Sequence, residues 1–224
     1  MTCVRQLGAP GRLTVKMTTR ARAARAYAGR SAEDRRTERR ARLLAAGRRS
    51  WGESGLAAVT VRGVCGLAGL TDRYFYESFA NREALVLAVA AQLRDELLAL
   101  MVEGGLAATG GVEERLRGGL LAVLSAVASD PSTMRIFTSD PTGLPGLAQQ
   151  RRGVLAMITD LVIQYVPELL TGPVDPHQLR LAALFSVGGV NQLIESWADG
   201  SLALGIEQLA ADCARLCMRV LDPG

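Results

Sequence analysis

Between Thr60 and Arg82 the chain sets out hydroxyls, phenols and guanidinium groups at spacings that suit bonding to phosphates and base edges rather than the breaking of a covalent bond. Catalysis by a helical protein would need a nucleophile beside a base, paired carboxylates or a metal triad. The single histidine, His177, follows Pro176 at a helix start, and the four cysteines at positions 3, 65, 213 and 217 form no CxxC pair. Neither a zinc site nor a disulfide framework is supported. Cys213 and Cys217 share a helix face, where cysteines four apart are poorly placed for an intrahelical bridge and read as small core residues. No catalytic residue, metal or cofactor is expected, and an enzyme built on a helical bundle is the most distant of the function classes.

The polar groups need elements to hold them. Thr60 suits an N-cap, and Val61, Val64, Cys65 and Ala68 follow at helical spacing, which predicts a helix of about two turns with one buried side. Gly69 ends it, because a helix C-terminus commonly calls for a left-handed residue that glycine adopts without steric cost, and Leu70 plugs the turn. Thr71 caps a second helix, on which Phe75 and Phe79 face inward and leave Asp72, Arg73, Tyr74, Tyr76, Glu77 and Ser78 outside. Asn81 caps a third, longer helix, with Arg82 in its first turn beside backbone N–H groups suited to a phosphate. Upstream, Leu43, Gly47 and Trp51 recur every four residues, and Gly55 closes a first helix. Helix, glycine turn, helix is the geometry in which a second helix enters the major groove of DNA.

Thr60-Val61-Arg62, Ala68-Gly69-Leu70-Thr71, Tyr76, Phe79 and the run Arg82-Glu83-Ala84-Leu85 resemble the DNA-binding domain of the TetR/AcrR family of bacterial transcriptional regulators, over residues 35 to 90. The resemblance implies an all-α fold: an N-terminal three-helix helix-turn-helix domain followed by a larger helical ligand-binding and dimerisation domain. The family usually has alanine near Gly47, phenylalanine near Trp51 and lysine near Arg82, departures that conserve each role. Arg73 stands where many members carry a small residue, and Asp72 where an amide or lysine is common, so both bear on sequence choice. Hydroxyls, guanidinium groups and helix N-termini suit anions, which makes Thr60, Tyr76 and Arg82 candidate phosphate contacts, with Arg36 and Arg39 at the basic lead-in. Asp72, Arg73 and Tyr74 at the start of the recognition helix are the candidates for base reading, with Glu77 and Ser78 as weaker ones and Thr71 as a further DNA-binding residue; arginine pairs well with guanine.

Composition agrees with an all-helical chain. Of 224 residues 49% are apolar, with eight prolines, enough for one small and one medium helical domain. The net charge of +4 hides an asymmetry: residues 1–49 hold 14 of the 26 basic and three of the 22 acidic residues, a local +11 against −7 for the remainder. A basic end on an acidic body is the electrostatic footprint of a protein that presents one end to nucleic acid; a solvated arginine tail is the plainer alternative. Residues 1–34 have few apolar anchors and are expected to be a disordered basic arm. The helix-turn-helix domain is placed at 35–81 and the regulatory domain at 82–224. Apolar segments are broken by charge before about 20 residues and Val4 to Lys16 holds no apolar h-region, so no membrane partner and a cytoplasmic location are expected.

Further along, a helix is expected from Arg82 to about Leu106 with Leu85, Val89, Leu93 and Leu97 or Leu100 on one face, a break at Thr109-Gly110-Gly111, a helix from Val112 to Ser129, and a short one from Pro131 to Phe137. Ser139 to Gly146 reads as a loop, Leu147 to Val166 as a helix, and Pro173 to Asp175 as a second loop. The family builds its ligand pocket in these central helices, which makes Met101, Met134, Phe137, Met157 and Tyr165 the candidate pocket residues, ordinary packing being the alternative. One stripe of Leu179, Ala182, Ala183, Ser186, Val190, Leu193 and Trp197, and another of Ile206, Leu209, Ala210, Cys213, Leu216, Cys217 and Val220, resemble the helix pair of the family's four-helix dimer interface; burial within the same chain is the alternative. The expected function is a homodimeric, sequence-specific regulator on an inverted-repeat double-stranded operator, released by an unidentified small-molecule effector. A ligand-independent dimeric DNA binder is the second reading.

Overall fold

The structure, a computed structural model, describes residues 31–140, 143–165 and 175–221. Among them are nine α-helices and a 3-10 turn, and no strand. Helix α1 spans Ala32–Ser54, the 3-10 turn Leu56–Ala58, α2 Val61–Ala68, α3 Asp72–Ser78 and α4 Arg82–Ala107. They are followed by α5 Val112–Ser129, α6 Pro131–Phe137, α7 Pro145–Tyr165, α8 Pro176–Ala198 and α9 Ile206–Leu221.

Helix α1 starts earlier than its apolar pattern suggests. Ser31 and Asp34 form a reciprocal capping box, which satisfies two of the N–H groups that open the helix, so the last residues assigned to the basic arm are helical. Residues 1–30 lie outside the described part. At the other end of the head, Gly69 adopts φ +61° and ψ 41°, the left-handed conformation the turn requires, and Leu70 donates back to the Cys65 carbonyl at 3.0 Å.

A single apolar core joins the head to the body. Leu43, Trp51, Val64, Phe75, Leu85 and Val89 are buried together, and the same cluster takes in Leu93 from the middle of α4 and Ile136 from α6. The boundary expected at residue 82 therefore falls at the start of a helix whose first half completes the head and whose second half packs on α5. The body is a bundle in which α5 and α9 share Leu120, Leu124, Leu209, Ala210 and Cys213, with α8 laid against them. No single helix among the described residues is long and apolar enough to cross a membrane; α5 and α6 together have the length and composition but are bent by 110°.

Helix α6 is pressed onto α1. A Cβ placed on Gly52 would lie 2.5 Å from Ser132 Cβ and 3.1 Å from its Cα, so the approach depends on the missing side chain. Arg48 bonds Glu96 at 2.5 Å and Thr133 at 3.3 Å, and the Arg135 guanidinium donates to the Glu53 carbonyl, fixing the seam at its edges. Gly52→Ala should force α1 and α6 apart and cost about 1–3 kcal/mol. Gly66→Ala, on an exposed helical position with open space around it, should be neutral or stabilising by up to about 1 kcal/mol. Thermal or urea unfolding of the two variants measures the difference; equal stability would show that the seam tolerates a methyl group.

Candidate nucleic-acid interface and effector cavity

The recognition helix α3 stands on two rings. Phe75 and Phe79 are buried with centroids 5.8 Å apart, and their burial turns the rest of the helix outward. Asp72, Arg73, Tyr76 and Glu77 are exposed, whereas Tyr74 and Ser78 are half-buried. Arg73 reaches furthest into solvent, its side chain 84% exposed and held by Glu77 at 3.1 Å. Thr71 occupies the N-cap position without a side-chain capping bond, so its hydroxyl is not committed to the helix. Thr60 does cap α2, accepting from the Gly63 N–H at 3.1 Å, and its own proton remains available. Burial pushes the Cys65 thiol up to about 11, and the Asp72 carboxylate beside it adds to the rise. Asp72 thus lies against α2 as well as at the N-terminus of α3.

Several arginines do other work than the sequence suggests. The Arg82 guanidinium turns inward, donating to the Val59 carbonyl at 2.5 Å and the Leu56 carbonyl at 2.6 Å. These carbonyls belong to the 3-10 turn and the residue after it: Leu56 already accepts from the Val59 N–H at 3.3 Å and gains a second, charged donor, while Val59 follows the turn where helical partners run out. Arg82, expected to grip a phosphate, is thus engaged in a structural tie between α4 and the turn after α1. Arg36 reaches the Glu77 carbonyl at 3.5 Å, and Arg39 lies 4.6 Å over the Tyr74 ring with Glu77 at 3.7 Å, so both brace α3. Sequence reasoning passed over Arg40 and Arg42. Arg40 donates to the Ser78 carbonyl at 2.8 Å and stacks 4.2 Å over Phe79, and Arg42 donates to the carbonyls of Ala68 and Gly69 in the turn. Their recurrence at three- and four-residue intervals along α1 was the available signal.

The body encloses a cavity of about 500 Å³ between α4, α5, α7, α8 and α9, with a wall that is overwhelmingly aliphatic. Of the candidate pocket residues, Met101 and Phe137 line it. Met134 is not among the lining residues, and Met157 and Tyr165 are exposed on the far side of α7, since helical spacing alone does not say which face of α7 turns inward. The wall also contains a residue of the head: Trp51, 1% exposed, with its indole N–H donating to Ser139 Oγ at 2.8 Å.

Comparison with known proteins completes the picture of the head. The family model described as "Bacterial regulatory proteins, tetR family" matches residues 43–89, the stretch from the middle of α1 to the first half of α4. Residues 43–89 thus form a TetR-family DNA-binding domain. TetR-family structures also share the fold over most of its length. The fatty acid degradation regulator FadR of Bacillus halodurans is 17% identical and superposes with a TM-score of 0.63 over 80% of this chain and 94% of its own. FadR of Bacillus subtilis, solved with stearoyl-CoA, is 15% identical, with a TM-score of 0.61 over 79% and 96%. The TetR-family repressor AlkX of a Dietzia strain is 21% identical, with a TM-score of 0.55 over 81% and 97%. Among curated proteins none matches the sequence. With a helix-turn-helix head that matches the TetR-family model, the chain is a DNA-binding transcriptional regulator.

The new role of Arg82 can be separated from a DNA role. Arg82→Ala leaves two carbonyls without their charged donor and should lower stability by about 1.5–3 kcal/mol. Denaturant unfolding in the absence of DNA measures it. An unchanged midpoint would mean that the guanidinium is free to serve a phosphate.

Proposed function

We propose that this TetR-family protein is a homodimeric repressor, released from an inverted-repeat operator when a small apolar molecule enters the cavity. The observation that carries the reading is Trp51: it belongs to α1, the helix that braces the recognition helix through Arg36, Arg39 and Arg40, and it also forms part of the cavity wall. An occupant would press on Trp51 and Phe137 and shift α6 against α1. The head would then favour an orientation that no longer matches successive major grooves, and the difference in affinity for the two states supplies the switch. The stearoyl-CoA bound by Bacillus subtilis FadR supports an effector with a long apolar part. A ligand-independent DNA binder would have little use for an aliphatic cavity of this volume reaching the head.

For the second subunit the exposed apolar residues are the guide. Leu209 and Ala183, on the stripes expected to meet a partner, are buried within the chain, as are Cys213 and Cys217, where burial pushes Cys213 up to about 11 and also raises Cys217. Those stripes pack α8 and α9 onto α5 and α7. What is open is Leu181, Leu184 and Phe185 on α8, Phe185 being 70% exposed, together with Leu216, the exposed member of the α9 stripe. Gly188, one turn on, has open space where a side chain would stand, so a partner helix can approach closely. This face is the proposed two-fold interface.

On the DNA side, Thr60, Thr71 and Tyr76 are proposed to bond phosphates, Tyr76 being 59% exposed, and Arg73 to read a base. Tyr74 and Asp72 are secondary base-reading candidates, because Arg39 covers one and Cys65 neighbours the other. Arg36 and Arg39 reach phosphates only by giving up contacts to α3. Selection from random duplexes should return an inverted repeat, and Arg73→Ala should relax one symmetric pair of positions, a loss of about 1–3 kcal/mol of discrimination per half-site. An unchanged motif would remove Arg73 from base reading. Phe185→Glu should give a folded monomer by light scattering, binding more weakly and with a shallower salt dependence than the dimer. A variant that stayed dimeric would move the interface elsewhere.

A further inference from the structure

The chemistry of the cavity wall limits what its occupant is made of, provided the cavity is the effector site as read above. Its charged groups are satisfied almost everywhere. The Arg151 guanidinium pairs with Glu195, whose carboxylate also accepts from Asn191 at 2.9 Å, and Arg94 is held by Asp95 at 2.7 Å. An ionised ligand group placed among them would lose its hydration with no free charge to replace it. Most of the rest of the wall is leucine, isoleucine, valine and methionine, with Phe137 and Trp51 at the head end; Ser139, Gln150 and Ser186 add neutral polar groups, and the Gln150 Oε1 and Ser186 Oγ have no hydrogen-bond partner among the described residues.

Arg115 is the exception. It is the one lining residue that is exposed, which places it where the wall meets solvent, and it has no ion-pair partner among the described residues. Its place is also fixed along the bundle. The Arg115 carbonyl lies 3.2 Å from where a Cβ on Gly105 would stand, near the end of α4 that is furthest from the head. Trp51 is at the opposite end, beside the part of α4 that carries Ala90 and Leu93. The α4 wall from Ala90 to Met101 is roughly 16 Å long at 1.5 Å per helical residue. Cation at the rim, aliphatic wall, indole at the closed end: the order matches one kind of molecule.

We propose that the cavity takes a single-chain anionic amphiphile, its head held at the rim by Arg115 and its tail running along α4 toward Trp51. Tail length then decides signalling as well as affinity. A short tail binds without reaching Trp51, and a tail long enough to touch the indole moves α1. Linear chains fit this path, whereas bulky fused rings do not use its length.

Isothermal titration calorimetry of the full chain with fatty carboxylates from octanoate to palmitate, each below its micelle concentration, tests the assignment beside the matching primary alcohols. Affinity for the carboxylates should rise by about fourfold for each added methylene until the tail fills the path. Arg115→Gln, at an exposed position where folding is not at stake and circular dichroism verifies it, should weaken carboxylate binding by about fivefold and leave the alcohols unchanged. Binding that ignores chain length overturns the tail path. Carboxylates and alcohols of equal affinity, both indifferent to Arg115→Gln, overturn the head assignment, and failure of both series to bind overturns the proposal entirely. Operator titrations in parallel keep the two readings apart: tight, length-dependent carboxylate binding that releases no DNA upholds the ligand class and refutes the effector role of the cavity.

Discussion

The packing of α6 onto α1 is the constraint on which the rest of the structure depends. Gly52 lets Ser132 approach to a distance that a methyl group would forbid, and Trp51 next to it closes both the core of the head and the inner end of the cavity. Because closely packed interfaces have discrete arrangements and deform little, a displacement at the cavity end passes to α1 as a change of position. Helix α4 alone would couple the two halves less tightly, since its second half leans on α5 and is free to bend with the body. The seam makes α1 a shared part of two machines.

Electrostatics on α1 serve the same end. A run of arginines before a helix-turn-helix invites the view that all of them face DNA, yet four donate to carbonyls or stack on rings of the helix-turn-helix itself. Carbonyls at the ends of α2 and α3 lack helical partners, and guanidinium groups with several donors satisfy them while leaving the local charge positive. The recognition helix is thereby held in a fixed relation to α1. Its seven residues would not keep their shape without such support. The same positive charge still raises the local potential toward DNA, so bracing and attraction come from one set of side chains.

How much of this was legible beforehand differs by element. The head was readable because its signals are local: Thr60 and Asn81 cap their helices, Gly69 is left-handed, and Phe75 and Phe79 face inward, as the spacing required. Helix limits in the body followed from Gly110-Gly111, Asp130-Pro131 and Pro176 for the same reason. The inward turn of Arg82 was not legible because a helix N-terminus suggests an anion, and only the fold shows that the loop after α1 brings two carbonyls within its reach. The faces of α7, α8 and α9 were not legible. Leu184 and Leu216 look no different in sequence from Leu179 and Leu209, and which stripe turns inward depends on the neighbours that α5 and α7 provide. Met157 and Tyr165 were drawn toward the cavity by residue type when their helix turns them away.

Coupling between cavity and DNA is reciprocal by thermodynamic necessity, and that gives the central claim its most direct test. The measurement is the affinity of the full chain for one cavity ligand, such as palmitate, with and without saturating operator. Mutually exclusive states predict that operator weakens the ligand by the factor by which the ligand weakens operator, about 5- to 150-fold for a coupling of ordinary size. Equal ligand affinity in the free and DNA-bound protein would contradict the account, because it would mean that Trp51 and the seam behind it carry nothing from the cavity to the recognition helix.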